Sequence, residues 1–345
     1  MIHFDQDYAE GAHPKILERL LETNLEQAAG YGFDQYSERA RELIKESVEN
    51  DAVDVHFLSA GTQTNLTVIA SALRPHQGVV AAESGHIQTL ETGAIEAVGH
   101  KILLLPTEEG KIQAEQVAAL CEEYWNNEAN IHKVQPAMLH LANPTEVGTI
   151  YSKEELTALR AVTEKYEMKF FIDGARLGYG LVADTNDVTM KDMVDLTDVF
   201  YIGGTKIGAL LGEAVVIKDP ELKRDFRSIM KQKGALLAKG RLLGIQFETL
   251  FTDNLYFEIA DYAVSQATRI KKALIEKGVA MKYENDTNQL FPIMTDEMVR
   301  YLAENFKFLV MNQEDDQHHL VRICTSWATK EEHVDQLIQK TKDFN

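Results

Sequence analysis

The chain has few cysteines, no long apolar run and little positive charge, and each shortage excludes a class of protein. Only two of the 345 residues are cysteines, Cys121 and Cys324, which argues against a disulfide framework or a cysteine-based metal site. No stretch is apolar over the roughly 18 residues that a membrane helix needs. A formal net charge of −19 argues against nucleic acid or an anionic membrane as the main partner.

The opening of the chain bears on its cellular location, and its glycine-rich segments bear on nucleotide binding. The first residues, MIHFDQDYAEG, carry acids and lack an apolar signal core, so we expect a cytoplasmic protein. The segment GGTKIGALLG lacks the spacing of a P-loop, and no GxGxxG motif follows the first predicted strand. The nucleotide-binding motifs are therefore absent.

Short apolar runs alternate with segments of helical periodicity through the middle of the chain. This alternation predicts an α/β domain with a mostly parallel sheet, because parallel strands are buried on both faces and so read as unbroken apolar runs. Seven segments are strand candidates: VDVHFL (53–58), GVVAA (78–82), KILLLP (101–106), AMLHLAN (137–143), KFFID (169–173), DVFYIGG (198–204) and EAVVIK (213–218).

The C-terminal third has a different pattern. Residues 220–268 are largely helical in periodicity, and two predicted strands, NQLFPIM (288–294) and HLVRICTSW (319–327), are then interleaved with helices. We expect a large domain over 46–245 and a small α+β domain over 246–345. Residues 1–45 are expected to form an arm that joins the small domain or an interface.

A carboxylate and an amine follow two of the predicted strands. Asp173 ends KFFID, and Lys206 comes shortly after DVFYIGG. Ligands bind at the carboxyl ends of strands in open α/β sheets. Pyridoxal phosphate needs a lysine that forms an imine with its aldehyde and a carboxylate that keeps its pyridine nitrogen protonated. We therefore predict a pyridoxal 5′-phosphate enzyme with Lys206 and Asp173 as catalytic residues.

Two further segments suit the same cofactor, although each has an ordinary structural interpretation. Gly61 and Thr62 open a predicted helix after a strand, where free amides and the helix dipole favour a phosphate; Thr62 could instead be a simple N-cap. His86 follows the next strand, where an imidazole could stack on the cofactor ring or move protons. It could equally be a loop histidine with no role in chemistry.

Two arginines are candidates for binding a substrate carboxylate. Arg176 follows Asp173 closely, so it could clamp a carboxylate through two hydrogen bonds or pair with Asp173 structurally. Arg322 stands in a predicted C-terminal strand among apolar neighbours, where it needs an anion. The run DDQHH at 315–319 is interpreted as a solvated turn, and we predict no metal site.

Taken in order, these segments resemble the threonine aldolase family, in the β-eliminating lyase group of fold-type-I pyridoxal phosphate enzymes. The resemblance extends over nearly the whole chain. It rests on FDQDYAEGAHPKILERLLETN at the start, GYGFDQYSERARELI, the phosphate turn AGTQTNLTVIASAL, the histidine segment AESGHIQTLETGAIEAVG, FFIDGARLGYG, and the lysine segment GGTKIGALLGEAVV. It implies a mostly parallel seven-stranded sheet with helices on both faces and a small α+β C-terminal domain.

The resemblance also implies a role for each candidate. Lys206 would hold the cofactor covalently, Asp173 would contact the pyridine nitrogen, and His86 would stack on the ring and take part in catalysis. The other expected contacts are Gly61 and Thr62 at the phosphate, Arg176 at both cofactor and substrate, Arg322, Asn143 and Asp7 at the substrate, and Arg241 at the phosphate of a neighbouring subunit. The family forms dimers or tetramers with shared active sites.

The implied activity is that of a carbon–carbon lyase, cleaving threonine or allo-threonine to glycine and acetaldehyde. One departure leaves alternatives open. Thr145 stands where the family has a histidine thought to help proton handling at the substrate side chain. This favours β-elimination or transamination of another small amino acid, and a non-catalytic protein that retained the fold is a third interpretation.

Overall fold

A computed structural model describes residues 1–344 of the chain. Numbered along the chain, the strands are β1 Ile2–His3, β2 Asp54–Leu58, β3 Gln77–Ala82, β4 Ile102–Leu105, β5 Gln135–Ala142, β6 Lys169–Asp173, β7 Val199–Gly203, β8 Glu213–Ile217, β9 Ala280–Met281, β10 Gln289–Leu290, β11 Pro292–Thr295, β12 Phe306–Lys307, β13 Leu309–Gln313 and β14 His318–Cys324. Seven of the strands, β2 to β8, form a central sheet.

Helices cover both faces of this sheet. The helices of residues 1–344 are α1 Pro14–Thr23, α2 Gln35–Ser47, α3 Gly61–Ala72, α4 His86–Thr89, α5 Ala94–Ala97, α6 Ala114–Trp125, α7 Lys153–Lys165, α8 Leu177–Leu181, α9 Met190–Leu196, α10 Pro220–Gln232, α11 Arg241–Phe251, α12 Leu255–Glu276, α13 Asp296–Ala303 and α14 Glu331–Asp343, with short 3-10 turns at Asn130–His132 and Thr252–Asn254. Of these, α13 and α14 pack in the C-terminal apolar cluster and not on the central sheet. Within residues 1–344, no helix combines the length and the apolar character needed to cross a membrane.

The central sheet is mostly parallel, with the strand order β2-β8-β7-β6-β5-β3-β4. Strand β8 is antiparallel to both of its neighbours, and the other pairs are parallel. All seven strand candidates are present in this sheet, so the predicted fold class is confirmed.

Alternate side chains of the central strands pack on opposite faces. In β6, Phe170 and Ile172 belong to one apolar cluster, whereas Phe171 belongs to the cluster on the other face. This is the two-residue period of a strand, and burial on both sides explains why the strand sequences are apolar throughout.

A second, antiparallel sheet lies in the C-terminal region, with the order β10-β14-β11-β9 and β13 paired to β14. The sequence predicted two strands there: the segment 288–294 covers β10 and most of β11, and the segment 319–327 overlaps β14. The two-residue β9 is too short to give a pattern. The apolar start of β13 is not among the predicted strands, and all five of its residues are exposed. Strand β1 pairs with β12, and Phe4 packs in the C-terminal apolar cluster. The proposed domain limits at residues 45 and 245 stay a prediction.

The sheet topology collects the chemically interesting segments at one edge. Strands β2, β3, β5, β6 and β7 run in the same direction, so the segments that follow their carboxyl ends meet there. These segments contain Gly61, His86, Asn143, Arg176 and Lys206.

Gly174, directly after β6, allows a close backbone approach that positions this edge. A Cβ atom there would overlap the Tyr201 carbonyl oxygen. We expect Gly174→Ala to lower the free energy of unfolding by roughly 1–3 kcal/mol, the usual cost of overpacking, as measured by urea denaturation. Gly11→Ala is the matched control, since a Cβ there meets nothing within 4 Å. Equal stability of the two variants would contradict the packing argument.

Candidate active site

A cavity of about 220 Å³ lies at this edge of the sheet. Six of the predicted site residues line it: Gly61, Thr62, His86, Asp173, Arg176 and Lys206. Asp7, Asn143, Arg241 and Arg322 are not among the lining residues. The topology therefore brings together six of the seven predicted cofactor residues, all except Arg241, from four separate segments of the chain.

Asp173 is almost fully buried and accepts three hydrogen bonds. Tyr201 Oη donates to Oδ1 at 2.5 Å, the Ala175 amide donates to Oδ1 at 3.0 Å, and Asn65 Nδ2 donates to Oδ2 at 3.0 Å. Burial raises the pKa of Asp173, but nearby His140 and these hydrogen bonds outweigh it, so the pKa lies below its ordinary value. The carboxylate is thus kept ionised inside the protein.

Lys206 lines the same cavity and lies on the loop between β7 and β8. Burial lowers the pKa of its amine, and Arg176 lowers it further, although Asp7, Asp173 and Glu213 oppose both effects. Glu213 shapes the loop itself, because it accepts hydrogen bonds from the Gly204 amide at 3.1 Å and from Thr205 Oγ1 at 2.8 Å. A lysine with a lowered pKa is a better nucleophile toward an aldehyde.

The N-terminus of α3 offers a phosphate site. The N-cap residue is Ala60, which provides no side-chain cap, so the first amides of the helix are free to bind an anion. Thr62 lies inside the helix, which removes the simple N-cap interpretation. A Cβ at Gly61 would come within 3.3 Å of Tyr201 Oη, so glycine keeps this corner of the cavity open.

His86 is held by a carboxylate that the sequence analysis did not identify. Its Nδ1 lies 2.8 Å from Glu91 Oε1, and the same oxygen accepts a hydrogen bond from Asn65 Nδ2 at 2.8 Å. Asn65 also donates to Asp173, so a series of hydrogen bonds through Glu91 and Asn65 links the His86 ring to the Asp173 carboxylate. This orientation leaves Nε2 as the nitrogen available for chemistry. The spacing of His86 and Glu91 was the only sequence signal for the pair.

Arg176 pairs with Asp7, not with Asp173. Its Nε donates to Asp7 Oδ2 at 2.7 Å and its Nη2 donates to Oδ1 at 3.0 Å, while Asn288 Nδ2 donates to Asp7 Oδ2 at 2.9 Å. Burial raises the pKa of Asp7, but Arg176 and Lys206 and these hydrogen bonds bring it down to about 2. The pair leaves Nη1 of Arg176 without a protein acceptor among the described residues and able to meet a ligand.

The remaining predicted residues lie away from the cavity wall. Arg322 donates from Nη2 to the Asp5 carbonyl oxygen at 3.1 Å, and within residues 1–344 its buried Nε has no acceptor. Asn143 Oδ1 accepts the Tyr151 amide at 3.1 Å. Arg241 donates to the Glu26 and Thr23 carbonyl oxygens at 2.6 and 2.5 Å.

The arrangement fits pyridoxal phosphate. The cavity combines an amine of lowered pKa, an ionised buried carboxylate and a helix N-terminus whose amides lack a side-chain cap, and these match the aldehyde, pyridine nitrogen and phosphate of that cofactor. Among residues 1–344 no group of three or more His, Cys, Asp or Glu side chains is arranged to hold a metal ion.

Comparison with known proteins gives a consistent result. Residues 7–326 match the family model described as beta-eliminating lyase. A structure of threonine aldolase from Leishmania major is 42% identical, covers 99% of both chains and superimposes with a TM-score of 0.96. The low specificity L-threonine aldolase of Pseudomonas aeruginosa is 29% identical, over 97% of this chain and 95% of its own length.

The chain belongs to the threonine aldolase family of β-eliminating lyases. Aspartate aminotransferase from Thermus thermophilus is only 14% identical but superimposes with a TM-score of 0.71, which shows a shared fold alone. The fold is that of fold-type-I pyridoxal phosphate enzymes, and the cofactor of this lyase is pyridoxal 5′-phosphate.

The pairing of Arg176 with Asp7 predicts a specific pH dependence of stability. Asp7→Asn removes the negative charge and leaves the buried Arg176 without a charged partner. We therefore expect a loss of about 3–5 kcal/mol in the free energy of unfolding at neutral pH. A lowered pKa contributes stability above the unfolded value of 3.8 and loses it as the pH falls through about 2. The difference between the two proteins should therefore shrink with acid.

Urea denaturation between about pH 5 and pH 2 measures this difference, provided both proteins unfold reversibly. Asp51→Asn is the control, because Asp51 is exposed and its substitution should change stability by less than about 0.5 kcal/mol. A difference for Asp7→Asn that stays constant over this pH range would refute the assignment of the pair.

Proposed function

We propose that this lyase cleaves the Cα–Cβ bond of a β-hydroxy-α-amino acid, releasing glycine and an aldehyde. Threonine and allo-threonine, which give acetaldehyde, are the expected substrates. The observation that carries the proposal is that the lysine, carboxylate and helix N-terminus stand in one cavity of a chain 42% identical to a threonine aldolase over 99% of its length.

The cofactor, when bound, accepts the electrons of the bond broken at Cα. Lys206 is proposed to hold it covalently, and Asp173 to place a fixed negative charge at its ring nitrogen. The free amides of Gly61 and Thr62 hold the phosphate. The protein thus contributes attachment, charge and position.

Orientation of the substrate decides which bond at Cα breaks. Arg176 presents Nη1 to the cavity while Asp7 fixes the rest of its guanidinium. Arg322 is proposed as the second group for the substrate carboxylate and Asn143 as a further substrate contact, as the family resemblance implies, although neither lines the cavity. Holding the carboxylate at one place turns the Cα–Cβ bond toward the reactive orientation, an effect worth several orders of magnitude in rate.

Two proton transfers accompany the cleavage, because the β-hydroxyl loses a proton and Cα gains one. His86 is proposed for proton transfer, directly or through a water that it holds. The hydrogen bond between Nδ1 and Glu91 orients the ring and directs Nε2 toward the reacting atoms.

We also propose that the lyase acts as a cytoplasmic homo-oligomer, a dimer or tetramer, in which Arg241 reaches the cofactor phosphate of a neighbouring subunit. In support, Arg241 does not line the cavity of its own chain. Arg241 contacts the N-terminal segment at Thr23 and Glu26, and in this segment the large apolar side chains of Leu21, Leu25 and Phe33 are 70% or more exposed, which favours a protein interface.

The visible absorbance of the purified protein tests cofactor binding. Protein reconstituted with pyridoxal phosphate should show a yellow band that glycine perturbs, because the amine of an amino acid displaces Lys206. Lys206→Ala should lose or shift this band, whereas Lys101→Ala, at an exposed lysine, should leave it unchanged. A colourless protein after reconstitution would contradict the proposal that Lys206 holds pyridoxal phosphate.

Aldehyde release tests the reaction itself. Threonine, allo-threonine and phenylserine should each be assayed for an aldehyde product, and at least one should be cleaved by the wild type and not by Lys206→Ala. No aldehyde from any of them, together with pyruvate from serine, would indicate β-elimination instead.

A further inference from the structure

The group that takes the β-hydroxyl proton is missing from the position where the family has a histidine. Thr145 lines the cavity there, but its hydroxyl lies 2.6 Å from Thr149 Oγ1. Thr149 donates its own proton to the Glu109 carbonyl oxygen at 2.7 Å, so Thr145 must donate to Thr149. A hydroxyl fixed in this way is neither a base nor a mobile proton carrier.

Three of the four carboxylates that line the cavity already make hydrogen bonds within the protein. Asp173 accepts three hydrogen bonds, and Glu213 uses both oxygens on its own loop. Glu91 bonds His86 and Asn65 through one oxygen, and its other oxygen is shielded from the cavity. None of the three presents a free oxygen to a substrate.

Glu146, next to Thr145, differs from these three. It lines the cavity and accepts the amide hydrogen of His86 at 2.6 Å through Oε1. Its second oxygen has no side-chain partner within residues 1–344 and is not fully buried, and the residue that carries it lines the cavity. Burial raises the pKa of Glu146, as does Asp173, while the amide hydrogen bonds and His86 oppose them, and a higher pKa makes a carboxylate a stronger base.

We propose that Glu146 is a further catalytic residue, the base that accepts the β-hydroxyl proton of the substrate. This inference rests on the proposed function. The O–H electron pair becomes the second bond of the aldehyde carbonyl, and the Cα–Cβ bond breaks with its electrons remaining on the glycine fragment. Cα then takes a proton, a transfer assigned to His86, and Glu146 returns its own to water, so the reaction is redox neutral.

The test separates hydroxyl chemistry from chemistry at Cα. Glu146→Gln keeps an oxygen that can accept the His86 amide but cannot take a proton. We expect its kcat for threonine cleavage to fall by about 10²–10⁴-fold. Exchange of the α-proton of glycine with deuterated water, followed by NMR, needs no hydroxyl base, and we expect it to stay within about threefold of the wild type.

Two controls accompany this variant. Glu83→Gln alters an exposed carboxylate close to His86 in sequence and should leave cleavage and exchange unchanged. Glu146→Asp retains a carboxylate and should recover part of the lost cleavage. The glycine-induced change in visible absorbance, measured for every variant, reports whether the amino acid site is intact.

Two outcomes overturn the inference while the wild type still releases aldehyde. Cleavage by Glu146→Gln at the wild-type rate would show that no base is needed at this position. Equal loss of cleavage, glycine exchange and glycine binding would show that Glu146 only positions the His86 segment. Failure of the proposed function is distinguishable, because the wild type itself would then exchange the glycine proton but release no aldehyde, and the base would have no substrate hydroxyl.

Discussion

A single buried charge, the Asp173 carboxylate at the end of β6, constrains the site more than any other feature. An ionised carboxylate is costly inside a protein unless hydrogen bonds replace its water. Its three donors come from helix α3, strand β7 and the turn after β6. These hydrogen bonds to Asp173 hold the three elements in fixed relative positions. Because Asn65 also donates to Glu91, which contacts His86, the same hydrogen bonds orient the His86 ring.

The second buried charge, Arg176, links separate regions of the chain. Its partner Asp7 lies just after the strand β1 that pairs with β12, and Asn288 of the C-terminal region donates to the same carboxylate. The proposed substrate end of the cavity is therefore assembled from the chain's beginning, its middle and its last third. A buried pair of this kind adds little net stability, but it fixes the guanidinium in one orientation.

Much of this arrangement could be predicted from the sequence, and the exceptions have physical causes. All seven central strands were predictable because burial on both faces leaves an unbroken apolar run, and Asp173 and Lys206 were visible as polar residues that follow such runs. Tyr201 and Glu213 lie within the strands, where the pattern does not reveal which side chain reaches the cavity. Asp7 as the partner of Arg176 depends on a contact between residues 169 positions apart in the sequence, and local sequence cannot encode it.

The parts of the cavity proposed for the cofactor and for the substrate hydroxyl differ in how strictly their chemistry requires one residue type. Covalent attachment needs an amine, and a pyridine nitrogen that must stay protonated needs a carboxylate, so those positions identify the cofactor almost by residue type. Accepting a hydroxyl proton requires only a sufficiently basic atom within hydrogen-bond reach. A loop can supply that atom from either of two adjacent residues. Replacing a histidine by Thr145 therefore does not abolish the reaction if the neighbouring Glu146 presents an oxygen to the same space.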